Sequence, residues 1–380
     1  MKAIWIALIT AVSIAVCQTS PAAASAPAGA TARCRDGTYS FSATHSGTCS
    51  HHGGVAAWLS SASPATATAP TATGSATVGA PPGAAGDLSL ITEPDQGYQP
   101  IYAQLASAKH SLDLTMYEFR DTRAEQILAA DARRGVQVRV LLDRDYIGSY
   151  DQATFSYLQQ HGVQVRWASS QVEITHEKSF VLDRSSAVIM TGNLTSQYYS
   201  TTRDFALVDT DPADVAAIEQ TFDLDWADER GVAPDGSDLV WSPGSEQTLV
   251  SLIDSARRSL LVENEEIRAS AIVGALEAAA RRGVEVELVM TRSSEWDGSF
   301  DALVRAGVHV RTYSPYAALY IHAKVIEVDD TRVFLGSENF SVGSMQYNRE
   351  LGLITEAPTI VTGIRRTVTS DYAGAQPWQA

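Results

Sequence analysis

The segment His176-Glu177-Lys178-Ser179-Phe180-Val181-Leu182-Asp183 has an echo later in the chain, His322-Ala323-Lys324-Val325-Ile326-Glu327-Val328-Asp329, with the histidine, lysine and aspartate at the same spacing. Chance is a poor explanation. The chain has only four lysines, Lys2, Lys109, Lys178 and Lys324, among 28 basic residues, so half of its lysines stand two places after a histidine. The apolar residues after each lysine predict a strand, and residues two apart on a strand face the same way. Histidine and lysine of each copy are therefore expected to project together into one cleft.

The duplication extends well beyond the motif. Upstream, Ser111-Leu112 leads to Ala132-Arg133-Arg134-Gly135-Val136-Gln137-Val138, and Ser259-Leu260 leads to Ala280-Arg281-Arg282-Gly283-Val284-Glu285-Val286. Next come Gly162-Val163-Gln164-Val165-Arg166 in one copy and Gly307-Val308-His309-Val310-Arg311 in the other. Each Arg-Arg-Gly-Val step reads as a helix that stops at glycine and passes into an alternating strand. The arginines suit the helix C-terminal dipole and need no ligand to explain them. Both halves thus read strand, helix, strand, helix, strand, an α/β pattern with mainly parallel neighbours. The expected repeats span 87–230 and 231–380.

The paired motif is similar to that of the phospholipase D superfamily, which also includes bacterial nucleases and cardiolipin synthases. The resemblance covers nearly all of Asp87 to Ala380 and implies two pseudo-symmetric half-domains, each a mixed, mainly parallel sheet flanked by helices, packed with one active site between them. The family pattern continues with Gly-Ser-x-Asn, matched by Gly336-Ser337-Glu338-Asn339; the first copy has Met190-Thr191-Gly192-Asn193 there, so a glycine is lost and the serine becomes threonine. An acidic group follows in the family, and Asp204 and Glu350 stand at equivalent distances from their histidines. Glu118 and Glu266 form another aligned acidic pair to which no role is assigned.

By this resemblance His176 would attack phosphorus while His322 protonates the leaving group and later activates water. Asp204 would orient His176 and Glu350 would orient His322. Lys178 and Lys324 would hold the non-bridging oxygens, with Thr191, Asn193, Ser337 and Asn339 as neutral donors. Asp183 and Asp329 would be structural. The chemistry needs this set: a nucleophile, a proton donor on the opposite side of phosphorus, and positive charge on the phosphoryl oxygens. Two lysines already counter the phosphate charge, so neither metal nor cofactor is expected.

Ahead of the repeats, Lys2, the apolar stretch Ile4 to Val16 and Ala24-Ser25-Ala26 read as an export signal over 1–26. A lipid anchor at Cys17 is the lesser alternative, because Val16 is bulkier than the residue usual before such a cysteine. Residues 33–59 form a small Cys/His/Gly-rich module that resembles one found in secreted bacterial proteins. Cys34 and Cys49, an even pair in an exported chain, read as a disulfide, worth roughly 3 kcal/mol in the chain-entropy model. His45, His51 and His52 fit no common zinc spacing. Residues 60–86, almost all Ala, Thr, Pro, Ser and Gly, read as a linker. Trp167, Tyr198, Tyr199 and Tyr316 lie near the motifs and are read as core aromatics.

Expected is a secreted enzyme, extracellular or periplasmic, that hydrolyses phospholipid headgroup esters to phosphatidate, touching membrane transiently and needing no obligate protein partner. The formal charge of −16 gives no general attraction for polyanions, which makes nucleic acid the less favoured substrate. A secreted non-specific nuclease is the alternative within the family, and a non-catalytic surface-binding protein the alternative outside it.

Overall fold

The computed structural model describes residues 87–379 and three short strands ahead of them. Those strands, Ala32–Cys34, Tyr39–Ser40 and Val55–Trp58, form an antiparallel sheet with Ala32–Cys34 in the middle. The proposed signal at 1–26, the Cys34–Cys49 bridge, Cys17 and the 60–86 linker lie outside the described residues. Among the described residues no helix is long and apolar enough to cross a membrane.

The larger unit contains two eight-stranded mixed sheets flanked by helices. In the first, Ser111–Met116, Gln137–Leu142 and Gln164–Trp167 run parallel, joined by helices Thr122–Arg133 and Gly148–Gln160. Asp121 starts the first of these helices by accepting hydrogen bonds from the amides of Arg123 and Ala124, and Gly135 at φ 91° ends it. The second sheet repeats the plan with Ser259–Glu263, Glu285–Thr291 and His309–Tyr313, and Gly283 at φ 88° ends the corresponding helix. The Arg-Arg-Gly-Val steps are thus helix stops followed by strands.

Parallel pairing is confined mostly to these strands. Lys178–Leu182 and Val325–Val328 run antiparallel to the central strands Ser111–Met116 and Ser259–Glu263, and each turns into a further antiparallel strand. The second of these reversals is made by a tight turn: Asp183 and Arg184 have φ near 51° and 55°, and Asp329 and Asp330 near 55° and 64°. Aspartate tolerates this left-handed region better than most side chains. Its carboxylate is also used. Asp183 accepts from the backbone N–H groups of Lys109, His110 and Ser111, and Asp329 from those of Arg257, Arg258 and Ser259. The motif aspartates therefore pin the far end of the motif strand to the loop entering the central strand, a structural role.

Three apolar clusters hold the unit together. One lies under the helices of each repeat, around Leu114, Val140 and Leu128 in the first and Val262, Leu288 and Leu276 in the second. The third draws on both repeats, joining Val181, Ile189 and Phe205 to Ile321, Val325 and Leu335. Each such side chain, buried fully, contributes about 1.5–3 kcal/mol, and the shared cluster fixes one motif strand relative to the other.

Candidate active site

The backbone crosses between the halves at two equivalent places. Thr175 forms a parallel bridge with Arg349, and the His176 amide donates to the Arg349 carbonyl at 2.9 Å. Tyr320–Ile321 pairs in parallel with Thr202 and Arg203, and the His322 amide donates to the Arg203 carbonyl at 3.3 Å. Each motif histidine is therefore delivered by its own repeat to the strand that bears the other repeat's acid.

The side chains follow the backbone. His176 Nδ1 lies 2.7 Å from Glu350 Oε2, and His322 Nδ1 lies 2.8 Å from Asp204 Oδ1. This corrects the expected pairing, in which Asp204 served His176 and Glu350 served His322. Equal spacing in the two copies identified the four residues but was silent about whether they meet within or across repeats. The same crossing recurs one residue earlier. Arg349 forms a two-bond ion pair with Asp225 on the helix Pro212–Ala227 of the first repeat, and Arg203 one with Asp371 on the helix Pro358–Gly374 of the second.

Thr191 and Ser337 also need correcting. Their hydroxyls donate to Asp204 at 2.6 Å and to Glu350 at 2.7 Å, so they hold the acids and do not reach toward phosphate. The antiparallel pairing that sets Met190 against Ala206 and Gly336 against Gly352 puts each hydroxyl beside its acid. A Cβ on Gly336 would come 2.5 Å from the Gly352 Cα, whereas Met190 and Ala206 occupy the equivalent positions in the first repeat. The amide oxygens of Asn193 and Asn339 are buried without a hydrogen-bond partner, equally in both repeats.

Glu350 is fully buried and receives further donors in Ser344 and Asn348. Burial works to raise its pKa, but His176, Lys178 and Ser344 together hold it below the ordinary glutamate value. Burial lowers the pKa of His176, with Lys178 and Lys324 acting the same way and Glu350 opposing them. A neutral ring whose Nδ1–H donates to Glu350 leaves a lone pair on Nε2, the form a nucleophile needs. Lys178 is buried too, and this, together with the nearby Lys324 charge, brings its pKa down to about 7.

The two corners of the site are not alike. Ser111 aligns with Ser259, so Tyr117 in the first repeat aligns with Glu265 in the second. The Tyr117 ring packs edge-on to His176 with centroids 4.5 Å apart, and Lys178 Nζ lies 5.1 Å from the ring centre. Glu265 instead puts Oε2 3.3 Å from His322 Nε2 and 3.2 Å from Lys324 Nζ. Burial would raise the Glu265 pKa, but His322, Lys324 and His176 outweigh it and bring it to about 2. His322 therefore faces a carboxylate at each ring nitrogen, the setting in which a doubly protonated ring has an acceptor for both N–H groups. Sequence reading missed Glu265 because its repeat partner is a tyrosine, so the duplication carried no signal there.

Glu118 and Glu266, the unassigned pair, are each engaged by an arginine two residues on, Arg120 and Arg268. Tyr199 stacks on Tyr98 and Trp167 on Phe155, consistent with core aromatics, but Tyr198 and Tyr316 are exposed. Among the described residues no group of three or more His, Cys, Asp or Glu side chains is arranged to hold a metal ion.

Residues 101–226 and 249–372 both match the family described as "Cardiolipin synthase, PLD-like domain". The chain belongs to the phospholipase D superfamily. It is a phosphodiesterase of that superfamily with two repeats and one site. Residues 27–59 match a domain family of unknown function. A cardiolipin synthase of Geobacillus kaustophilus is 25% identical over 339 residues, 77% of this chain and 67% of that one. The mitochondrial cardiolipin hydrolase of Mus musculus is 27% identical over 150 residues, 39% of this chain. The match spans 66% of that hydrolase. In fold, the chain is similar to phosphatidylserine synthase of Haemophilus influenzae, with a TM-score of 0.60 at 13% identity over 77% of this chain and 87% of that one. It is also similar to polyphosphate kinase of Porphyromonas gingivalis, with a TM-score of 0.60 at 15% identity over 75% of this chain and 50% of that one.

Proposed function

We propose that this chain is a secreted phospholipase D that hydrolyses the headgroup ester of phospholipids to phosphatidate through a phosphohistidine on His176. The observation that carries the reading is the pair of crossed imidazole–carboxylate contacts set around two buried lysines. That arrangement offers a nucleophile and a proton donor from opposite halves, as in-line displacement at phosphorus requires.

In the first step the His176 Nε2 lone pair attacks phosphorus, the bond from phosphorus to the headgroup oxygen breaks, and that oxygen takes the Nε2 proton of His322. In the second step the now neutral His322 takes a proton from water, the water oxygen bonds to phosphorus, and the phosphorus–nitrogen bond breaks to restore His176. Lys178 and Lys324 counter the charge on the non-bridging oxygens throughout. An alcohol can replace water in the second step, giving transfer. The acidic net charge and the names of the relatives, a cardiolipin synthase and cardiolipin hydrolases, support lipid over nucleic acid.

The test is incubation of purified protein with phospholipid vesicles and butanol. Phosphatidylbutanol is the expected product, absent from the His176→Ala and His322→Ala variants alike. Nicking of plasmid DNA without any lipid product would replace this reading with the nuclease.

A further inference from the structure

The asymmetry between Tyr117 and Glu265 bears on substrate choice. With His322 as the proton donor, the departing oxygen must take up the contact with His322 Nε2 that Glu265 now makes at 3.3 Å. The departing alcohol is thereby seated against Glu265. The equivalent place in the other repeat holds Tyr117, which brings no carboxylate to His176 and Lys178. Beside Glu265 stands Tyr320, exposed, whose hydroxyl donates to Glu265 Oε1 at 3.3 Å. A carboxylate next to an exposed aromatic ring attracts an organic ammonium group, by charge and through the ring face. The same carboxylate repels a second phosphate.

We infer that Glu265 is the specificity residue on the leaving-group side, favouring phosphodiesters whose departing alcohol carries an ammonium group and disfavouring those whose departing alcohol carries a further phosphate. The inference rests on the phospholipase reading and narrows its substrate class to choline- and ethanolamine-type headgroups over cardiolipin or oligonucleotides. Lys324 gains from the arrangement as well: while the site is free, Glu265 is its ion-pair partner at 3.2 Å.

The test measures kcat/KM on phosphatidylcholine, phosphatidylglycerol and cardiolipin in the same detergent micelles, where the departing alcohols are cationic, neutral and anionic. Wild type is expected to follow that order. Glu265→Gln should lower the phosphatidylcholine-to-cardiolipin ratio roughly tenfold, the effect of one unit charge on another a few ångströms away in a half-wet cleft. Glu265→Asp should keep most of the ratio. Glu265→Tyr, which installs the residue of the other repeat, should lower it as Gln does and serves where Gln fails to fold. A general loss of activity with the ratio intact in both Gln and Tyr variants would mean that Glu265 only props up Lys324, and would overturn the inference while leaving the phospholipase standing. Wild type inert on all three lipids would overturn both.

Discussion

The crossed pairing can be tested by separating the two chemical steps. Glu350→Gln removes the acid that serves His176, and Asp204→Asn the acid that serves His322. Four donors, His176 Nδ1, the Ser337 and Ser344 hydroxyls and the Asn348 amide, converge on the two Glu350 oxygens. An amide cannot accept from all four. If its NH2 group faces His176, Nδ1 becomes the acceptor and Nε2 carries the proton, which abolishes the nucleophile. Removing an orienting acid of this kind costs about 10⁴ in rate, or about 5.4 kcal/mol at 1.36 kcal/mol per factor of ten. With a p-nitrophenyl ester as substrate the leaving group needs no proton, so the two variants should part company. Asp204→Asn should release a burst of p-nitrophenolate equal to the enzyme present and then stall, since His322 is still needed for water; Glu350→Gln should show no burst. Rapid-mixing absorbance measures this directly. A burst in Glu350→Gln together with none in Asp204→Asn would return each acid to its own repeat's histidine and refute the argument.

Lys178, brought to about 7, is charged below that value and loses its charge as pH rises through it, so kcat/KM should decline on the alkaline side with an apparent pKa near 7. Lys178→Arg should move that decline upward, and an unmoved limb would assign it elsewhere. Glu93, Asp151 and Glu177 are raised to about 7, burial being the main cause, so the folded chain holds more protons than the unfolded one between about pH 4 and 7. Stability should therefore rise as pH falls from about 7 to about 5, and a thermal melting midpoint that falls over that window would contradict it. Asp183→Ala removes an acceptor from three backbone amides and should cost about 1–2 kcal/mol, read by denaturant unfolding; no measurable change would deny the turn its anchoring role. Activity should persist in excess chelator, and strict metal dependence would count against a lysine-based site.

The repeat, the α/β class and the motif residues were legible because duplication turns weak local signals into a matched pair. Arg134-Gly135 and Arg282-Gly283 mark the same helix stop twice, and each histidine–lysine step is vouched for by the other. What escaped was whatever duplication cannot express. Two equivalent acids look the same whether they act within or across repeats, and only the Thr175–Arg349 and Tyr320–Thr202 pairings decide it. Thr191 and Ser337 read as phosphate donors because a hydroxyl's direction depends on the neighbouring strand. The antiparallel return that follows the motif strand depends on a turn at Asp183-Arg184-Ser185 whose aspartate served equally well as part of a motif. Glu265 differs from Tyr117, so comparison of the copies passed over it, although it touches both His322 and Lys324.

Because the acid at each histidine's Nδ1 belongs to the opposite copy, a lone half would carry a histidine, a lysine and an acid and still be inert until it met a twin. Tethering two halves on one chain makes the encounter unimolecular, so turnover per molecule is indifferent to dilution. Tethering also frees the halves from having to match: once each is always the other's neighbour, one can keep a tyrosine where the other has adopted a glutamate.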